Sequence, residues 1–303
     1  MDLISKNSHS PTMAAVALLL GGAMWGLYWI PVRAFAELGL TGSWSGTVVY
    51  LAALVVLLPA LWTYRRKVIL RWRDLIFSGV FTGAAFGLYT TSLVYTDVVR
   101  SILLFYLTPV WGTMLGLLFL KEKLHAQRLA GLAFGLIGLF VVLGGGQGMP
   151  WPRNIGDWLA LMSGIAWALG SFGLYRAKAV PVTGQVVAFL CGALLIAAVG
   201  ISFEVRLGQS VPETEVFRAT AAYAFLSALF VLPMLFLTIW PATLLTPARV
   251  GLLLMSEVVV GLFSAALLSG DPFGWRECAG ALLIVVAAVL EITPKTEHDP
   301  SVA

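Results

Sequence analysis

A single carboxylate interrupts a long apolar stretch near the carboxyl-terminal end of the chain. Between Arg249 and Asp271 the only ionisable side chain is that of Glu257. At about 1.5 Å per residue, this stretch is long enough to cross a bilayer. A carboxylate at that depth is costly unless it faces a cavity, pairs with another group or carries a proton. Glu257 therefore predicts either a substrate or proton site, or a hydrogen bond that holds neighbouring helices together.

Aromatic side chains in other apolar runs are candidates for the wall of the same site. Trp25 and Trp167 lie about a dozen residues inside their runs, deeper than the interfacial belts in which Trp is usually found. Tyr89 and Tyr106 lie in the third and fourth apolar runs. Together with Glu257, these four rings could enclose an organic solute whose ammonium group meets the acid or the aromatic faces.

The composition places these residues in a membrane protein. Of the 303 residues, 59% are hydrophobic and 11% are charged, and the mean hydropathy is +0.92. A soluble domain has about a quarter of its residues charged. The apolar runs have the length of spanning helices rather than of short alternating strands, which excludes an outer-membrane barrel. The sequence thus predicts an all-α integral membrane protein.

Breakers between the apolar runs predict ten transmembrane helices in one membrane domain. Leaving aside Arg249, which lies near the membrane surface, twelve Lys and Arg residues lie on the side that holds both termini and six on the other. The positive-inside rule therefore predicts that both termini are cytoplasmic. The final residues, KTEHDPSVA, predict a short disordered tail. The predicted spans are 13–35, 43–63, 74–94, 99–120, 126–146, 157–177, 183–203, 219–239, 243–268 and 275–292.

The two halves of the chain, 1–147 and 148–303, show weak self-similarity. A shift of 142 residues places Trp167 on Trp25, and a shift of 149 residues aligns several charged and glycine positions. Because each half holds five predicted spans, the second half must enter the membrane in the opposite sense. The sequence therefore predicts a five-plus-five inverted repeat, whose pseudo-two-fold axis lies in the membrane plane.

Proline and glycine residues predict where the helices bend and approach each other. Pro109 lies in the fourth predicted span, where it removes a helix hydrogen bond and predicts a kink. The 149-residue shift makes Thr108, which precedes it, the counterpart of Glu257. Gly83 and Gly87 belong to a fourfold-spaced series that lets helix backbones come close. These features either permit the two halves to rock or serve packing alone.

Two arginines begin predicted spans on opposite faces of the membrane. Arg100 begins the fourth span and Arg249 the ninth, and the 149-residue shift superposes them. They could attract a substrate carboxylate at each entrance. The alternative is that they extend to lipid headgroups, as arginines at helix ends often do.

Several chemistries find no support in the sequence. Cys191 and Cys278 have no CxxC spacing, and the three histidines lie outside the predicted spans. No P-loop, nucleophile elbow or HExxH motif occurs. The net charge of +4 resides in short loops, which does not indicate a nucleic-acid partner. We therefore expect no enzyme activity, no cofactor and no metal, and a monomer whose partners are a small-molecule substrate and the bilayer.

Three segments resemble the EamA-type repeat of the drug/metabolite transporter superfamily. They are Trp25-Gly26, the run RSILLFYLTPVWGTMLGLLFLKEKL, and SGDPFGWRECAGALLIV in the second half. The region around Glu257 and the aromatic content are similar to bacterial amino acid exporters. The resemblance implies ten spans around a central cavity in the bacterial inner membrane, working by alternating access. One departure is Asp271-Pro272, where the family usually has a glutamate.

The resemblance also implies a function. We expect a secondary transporter that exports amino acids, aromatic and other neutral ones, and related metabolites. The alternative on the same fold is a multidrug or other small-metabolite exporter. In either case Glu257 would meet an amino group or exchange a proton, and proton-coupled and facilitated export both remain open.

Overall fold

A computed structural model describes residues 11–96, 101, 104–121, 125–143, 152–268 and 274–292. Within these residues all the regular elements are α-helices. In chain order they are α1 (Pro11–Gly26), α2 (Trp29–Glu37), α3 (Ser43–Leu70), α4 (Trp72–Tyr95), α5 (Thr108–Phe119), α6 (Ala126–Leu143), α7 (Ile155–Arg176), α8 (Val182–Arg206), α9 (Thr214–Ala242), α10 (Pro247–Leu254), α11 (Ser256–Leu268) and α12 (Trp275–Ile292).

Seven stretches of the described chain are long and apolar enough to cross a membrane. Two further apolar helices, Thr108–Phe119 and Ala126–Val141, are shorter. The chain is therefore an all-helical, multi-pass membrane protein. The total of ten spans and the inverted repeat remain predictions, because parts of the fourth and fifth predicted spans and the predicted disordered tail lie outside the described residues.

The first predicted span, 13–35, is two helices rather than one. α1 ends at Gly26 and α2 begins at Trp29. Proline explains the break, because Pro31 has no N–H to donate to the carbonyl of Leu27. That carbonyl instead accepts from the backbone N–H of Ile30 at 3.1 Å. A single span was predicted here, although Pro31 is a signal for the break.

Pro109 is associated with an interruption of the fourth predicted span, where residues 104 and 105 are helical, 106 and 107 form a turn, and a new helix begins at Thr108. α5 begins at Thr108, so Pro109 occupies the first turn, where its missing N–H leaves no bond unmade. The carbonyl of Phe105, which a residue at 109 would normally bond, accepts from Thr108 Oγ1 at 2.7 Å. The freed carbonyl is thus already satisfied by Thr108.

The ninth predicted span, 243–268, also divides, but without a proline. The N–H of Met255 donates to Leu252 O at 3.2 Å, and the N–H of Val258 donates to Met255 O at 3.0 Å. This local tightening takes the helical donor away from the carbonyl of Leu254. The 149-residue shift places Tyr106, which lies in the turn before α5, on Met255 in this second break.

The helices that contain these breaks pack against uninterrupted helices. α4 lies against α7 and α8, α1 lies against α9 and α11, α5 lies against α7 and α10, and α6 lies against α12. Glycine allows the closest approaches. A methyl group at Gly83 would lie 2.3 Å from the backbone nitrogen of Ala193 on α8. Small residues therefore set the separation of the helices, as is typical inside lipid.

Candidate functional site

A cavity lies where the broken helices meet α4, α7 and α8. It contains about 410 Å³ of space between the side chains, a figure that includes space open to the surroundings. Six of its nine lining side chains are aromatic and one is charged. The lining residues are Trp25, Ala85, Phe86, Tyr89, Phe105, Trp167, Phe189, Leu254 and Glu257.

Glu257 lies in the first turn of α11, directly after the break at Met255. Its carboxylate accepts a hydrogen bond from the hydroxyl of Tyr106. The same hydroxyl lies 3.3 Å from Leu254 O, the carbonyl that the break deprives of its helical donor. One side chain from the break before α5 therefore serves both polar groups at the break between α10 and α11.

Tyr106 lies behind the cavity wall and not in it. Its side chain is 1% exposed, and it does not line the cavity. Tyr106 is predicted from the sequence to touch substrate. In the structure it contacts two lining residues, the carboxylate of Glu257 and the ring of Phe105, and direct contact with substrate stays a prediction.

Trp25 is the last aromatic residue of α1 before the break. Its indole Nε1 donates to Thr238 Oγ1 on α9 at 3.0 Å. Its ring meets Phe86 edge-on, with centroids 4.9 Å apart, and Tyr28 with centroids 5.6 Å apart. The hydrogen bond and the two ring contacts fix which face of the indole is turned to the cavity.

Trp167 faces the cavity from the uninterrupted helix α7 and is 5% exposed. Its indole nitrogen has no hydrogen-bond partner among the described residues. Tyr89 on α4 completes this side, and its ring centroid lies 4.8 Å from that of Phe105. Trp167 and Tyr89 thus bring an indole ring and a phenol ring to this part of the wall.

Three contacts hold α11, and with it Glu257, against α1 and α2. Ser256 Oγ donates to the carbonyl of Leu19 at 3.1 Å. Trp29 Nε1 donates to Ser264 Oγ at 3.0 Å. A methyl group at Gly26 would lie 2.5 Å from the carbonyl oxygen of Glu257. The backbone of Glu257 is therefore set by direct contact with the end of α1.

The predicted bending residues pack helices together outside the cavity lining. Pro109 lies against Gly251 of α10, where an added methyl group would be 3.1 Å from the Cα of Pro109. Gly83 and Gly87 both face α8, and a methyl group at Gly87 would lie 2.3 Å from the side chain of Ile196. Their contacts account for close helix packing, and a role in rocking stays a prediction.

The predicted recruiting arginines are not part of the cavity. Arg249 is half-buried in the first turn of α10 and does not line the site. Arg100 lies outside the described residues. Recruitment of a carboxylate by either one stays a prediction.

Five lining residues were not singled out as site residues from the sequence. Phe86 had a usable signal, because it lies three positions before Tyr89 and shares its helix face. Phe189 and Leu254 had none, because each is one apolar residue among many in its span. The full set of additions is Ala85, Phe86, Phe105, Phe189 and Leu254.

Metal chemistry finds no support in the part of the chain that the structure describes. No group of three His, Cys, Asp or Glu side chains there could hold a metal ion. The arrangement can instead offer one acceptor carboxylate and several aromatic rings to an organic solute.

Comparison with known proteins gives information on the protein family and the fold. Residues 12–144 match the family model described as the EamA-like transporter family. This match supports the drug/metabolite transporter superfamily and a membrane transporter of small metabolites. A solved structure described as "Crystal structure of protein" superposes with a TM-score of 0.71, over 94% of this chain and 96% of that chain. At 18% identity this likeness shows a shared fold alone. A search of the curated proteins found no match.

Proposed function

We propose that this chain is a secondary transporter that exports aromatic and other neutral amino acids, and related metabolites, across the bacterial inner membrane. The observation that carries the proposal is a cavity in which aromatic rings surround one carboxylate. The carboxylate belongs to Glu257, next to the break that separates α10 from α11. Transporter sites near the bilayer midplane are typically built at such broken helices.

In this proposal the ammonium group of the substrate pairs with Glu257. Tyr106 already donates to Oε2 of this carboxylate, which orients it and leaves lone pairs for the substrate. A hydrogen bond between two charged groups in a dry site is worth more than one between neutral groups. The indole face of Trp25 adds cation–π attraction for the same ammonium.

The substrate carboxylate needs a hydrogen-bond donor from another lining side chain. Trp167 has an indole N–H without a partner in the described chain, and the phenol of Tyr89 lines the same wall. A zwitterion bridging from Glu257 to these donors would leave its side chain among Phe86, Phe105 and Phe189. That surrounding favours large apolar side chains over small polar ones.

Export then requires the cavity to open to one face of the membrane at a time. The breaks at Leu27–Tyr28 and Met255 are the places where the helices around the cavity can change direction with least loss of hydrogen bonding. A ligand shifts the two populations only if it binds them unequally. Glu257 supplies that difference if its contact with Tyr106 changes between the states.

One observation favours the second candidate, export of cationic drugs or amine metabolites. No Lys, Arg or His lines the described cavity, so Glu257 is its only charged group. A solute with an ammonium group and no carboxylate would match that charge directly. An amino acid must instead satisfy its carboxylate with neutral donors.

Purified protein in liposomes distinguishes the two candidates. We would measure transport of phenylalanine, phenethylamine and 3-phenylpropionate, which share a ring and differ only in their charged groups, with threonine and methionine to test the side chain. The amino acid proposal predicts that phenylalanine moves faster than both analogues. Transport of phenethylamine alone would support the cation exporter, and transport of none of these solutes would refute the amino acid proposal.

A further inference from the structure

Helix α3 continues beyond the span that the sequence predicts. It runs to Leu70, whereas the predicted span ends at residue 63. Its 28 residues correspond to about 42 Å of helix, against about 30 Å for the hydrocarbon core of a bilayer. The end of α3 therefore projects from the face that the sequence predicts to be cytoplasmic, and residues 62–67 and 69–74 are exposed.

Seven cations gather at this end. The end of α3 and the start of α4 pack against the turn between α7 and α8, since Val68 and Leu75 share an apolar cluster with Ala177 and Val180. The two helical hairpins thus present one continuous face. The basic surface, as we call it, consists of Arg65, Arg66, Lys67, Arg71, Arg73, Arg176 and Lys178, all of them exposed.

Acidic side chains do not neutralise this surface. Residues 61–78 and 175–185 include one acid, Asp74. Asp74 pairs with Arg71 at 3.6 Å. The described residues offer the other six cations no carboxylate partner. A surface with this excess of positive charge attracts anions.

Large apolar side chains stand among the cations. Trp62 is 69% exposed, Leu70 is 81% exposed and Trp72 is 54% exposed. The guanidinium of Arg65 lies 4.1 Å from the ring centroid of Trp62, and that of Arg73 lies 5.6 Å from the ring centroid of Trp72. Exposed indoles beside arginines suit the headgroup region, where the ring enters the lipid and the cation meets phosphate. A free anion in water would use the charges but not the rings.

We propose that the basic surface binds the headgroups of anionic phospholipids in the adjacent leaflet. Guanidinium groups can hold the lipid phosphate with paired hydrogen bonds, while Trp62, Leu70 and Trp72 anchor the surface in the leaflet. The site goes beyond the proposed transport function. It joins the ends of α3, α4, α7 and α8, three of which carry cavity residues, so a bound lipid stabilises the helices that form the aromatic side of the cavity.

Thermal unfolding of the full chain in nanodiscs tests the proposal without relying on transport. We would compare phosphatidylcholine discs with discs containing phosphatidylglycerol, for wild type and for Arg65→Gln/Arg66→Gln/Lys67→Gln. The matched control is Arg206→Gln/Arg218→Gln/Arg276→Gln, which removes three exposed cations on the opposite face. Phosphatidylglycerol should raise the unfolding midpoint of wild type and of the control alike. The first triple variant should match wild type in phosphatidylcholine and lose about half of the rise.

Equal rises in both triple variants would overturn the proposal, because the lipid would then act through overall charge. Inorganic phosphate added to phosphatidylcholine discs separates the two sources of phosphate. No change in the midpoint is expected, and a rise equal to that from phosphatidylglycerol would show a free-anion site instead. If the first triple variant does not fold, salt is titrated into discs that hold the wild-type protein. The rise in unfolding midpoint caused by phosphatidylglycerol should shrink as salt screens the charges. An unchanged rise contradicts the proposal.

Discussion

The two sides of the cavity are built in different ways. One side, which we call the broken wall, lies beside interruptions in the helices and is formed by Trp25, Phe105, Leu254 and Glu257. The other, the continuous wall, is formed by side chains of the uninterrupted helices α4, α7 and α8. Its residues are Ala85, Phe86, Tyr89, Trp167 and Phe189.

Glycine lets backbones approach closely in both walls, at Gly26 against Glu257 and at Gly83 against α8. The walls differ in that, among the described residues, the broken wall also has side-chain hydrogen bonds to its lining residues. Hydrogen bonds can exchange partners at little cost, whereas packed backbones cannot move apart without leaving voids. We therefore expect the broken wall to carry conformational change and the continuous wall to carry stability.

The largest effect should come from the continuous wall, with Gly83→Ala. The added methyl group would lie 2.3 Å from the nitrogen of Ala193, a backbone atom that cannot turn aside. We expect a loss of about 3 kcal/mol or more in stability, seen as low yield of folded protein and a lower unfolding midpoint. Gly131→Ala on α6 is the control, because its methyl group would meet nothing closer than 3.6 Å. Equal stability of the two variants would show that this packing does not hold the wall.

In the broken wall, Tyr106→Phe removes the donor to Glu257 and to Leu254 O. The ring still fills its place, so the protein should fold, while substrate affinity should fall about tenfold because the carboxylate loses its orienting bond. Transport kinetics over a range of pH measure this, and the pH profile should shift because the donor acts on the protonatable group. Tyr95→Phe is the control, since the hydroxyl of Tyr95 has no partner in the described residues. A Tyr106→Phe variant indistinguishable from Tyr95→Phe would remove Tyr106 from the mechanism.

A smaller effect should follow from Thr238→Val, which takes the acceptor from the indole of Trp25. Loss of one neutral hydrogen bond predicts a change of about fivefold in apparent affinity with little change in unfolding midpoint. The apparent affinity is measured by titrating substrate and following the quenching of tryptophan fluorescence. Thr220→Val is the matched control, because Thr220 lies on the same helix, is equally buried and bonds only to carbonyls of its own helix. Identical quenching in the two variants would count against a fixed Trp25 in binding.

The sequence predicts which residues lie at the site better than it predicts how they contact one another. Glu257 stands out because charge is rare in an apolar run, and Trp25 and Trp167 stand out by their depth. The cavity does contain all three, although their roles remain predictions. That Tyr106 reaches Glu257 could not be predicted, because their meeting depends on how two helix breaks fit together.

The breaks themselves were predictable only in part. Pro31 and Pro109 each deprive a carbonyl of its helical N–H donor, so both interruptions have a signal in the sequence. The break at Met255 has no such signal, and it lies where α11 packs closely against α1 at Gly22 and Gly26. A helix break of this kind involves contacts between segments that are far apart in the chain, and a local sequence pattern does not predict those contacts.

Glu257→Gln tests most directly whether this carboxylate is the group that meets the substrate. We would measure phenylalanine transport in liposomes, with and without a pH gradient, beside the control Glu277→Gln in the first turn of α12. The amide keeps the shape and removes the charge, so affinity should fall at least about tenfold and any dependence on the pH gradient should disappear. The control should behave as wild type. A Glu257→Gln protein with wild-type affinity and an unchanged pH dependence would contradict the proposal and leave Glu257 as a structural link between helices.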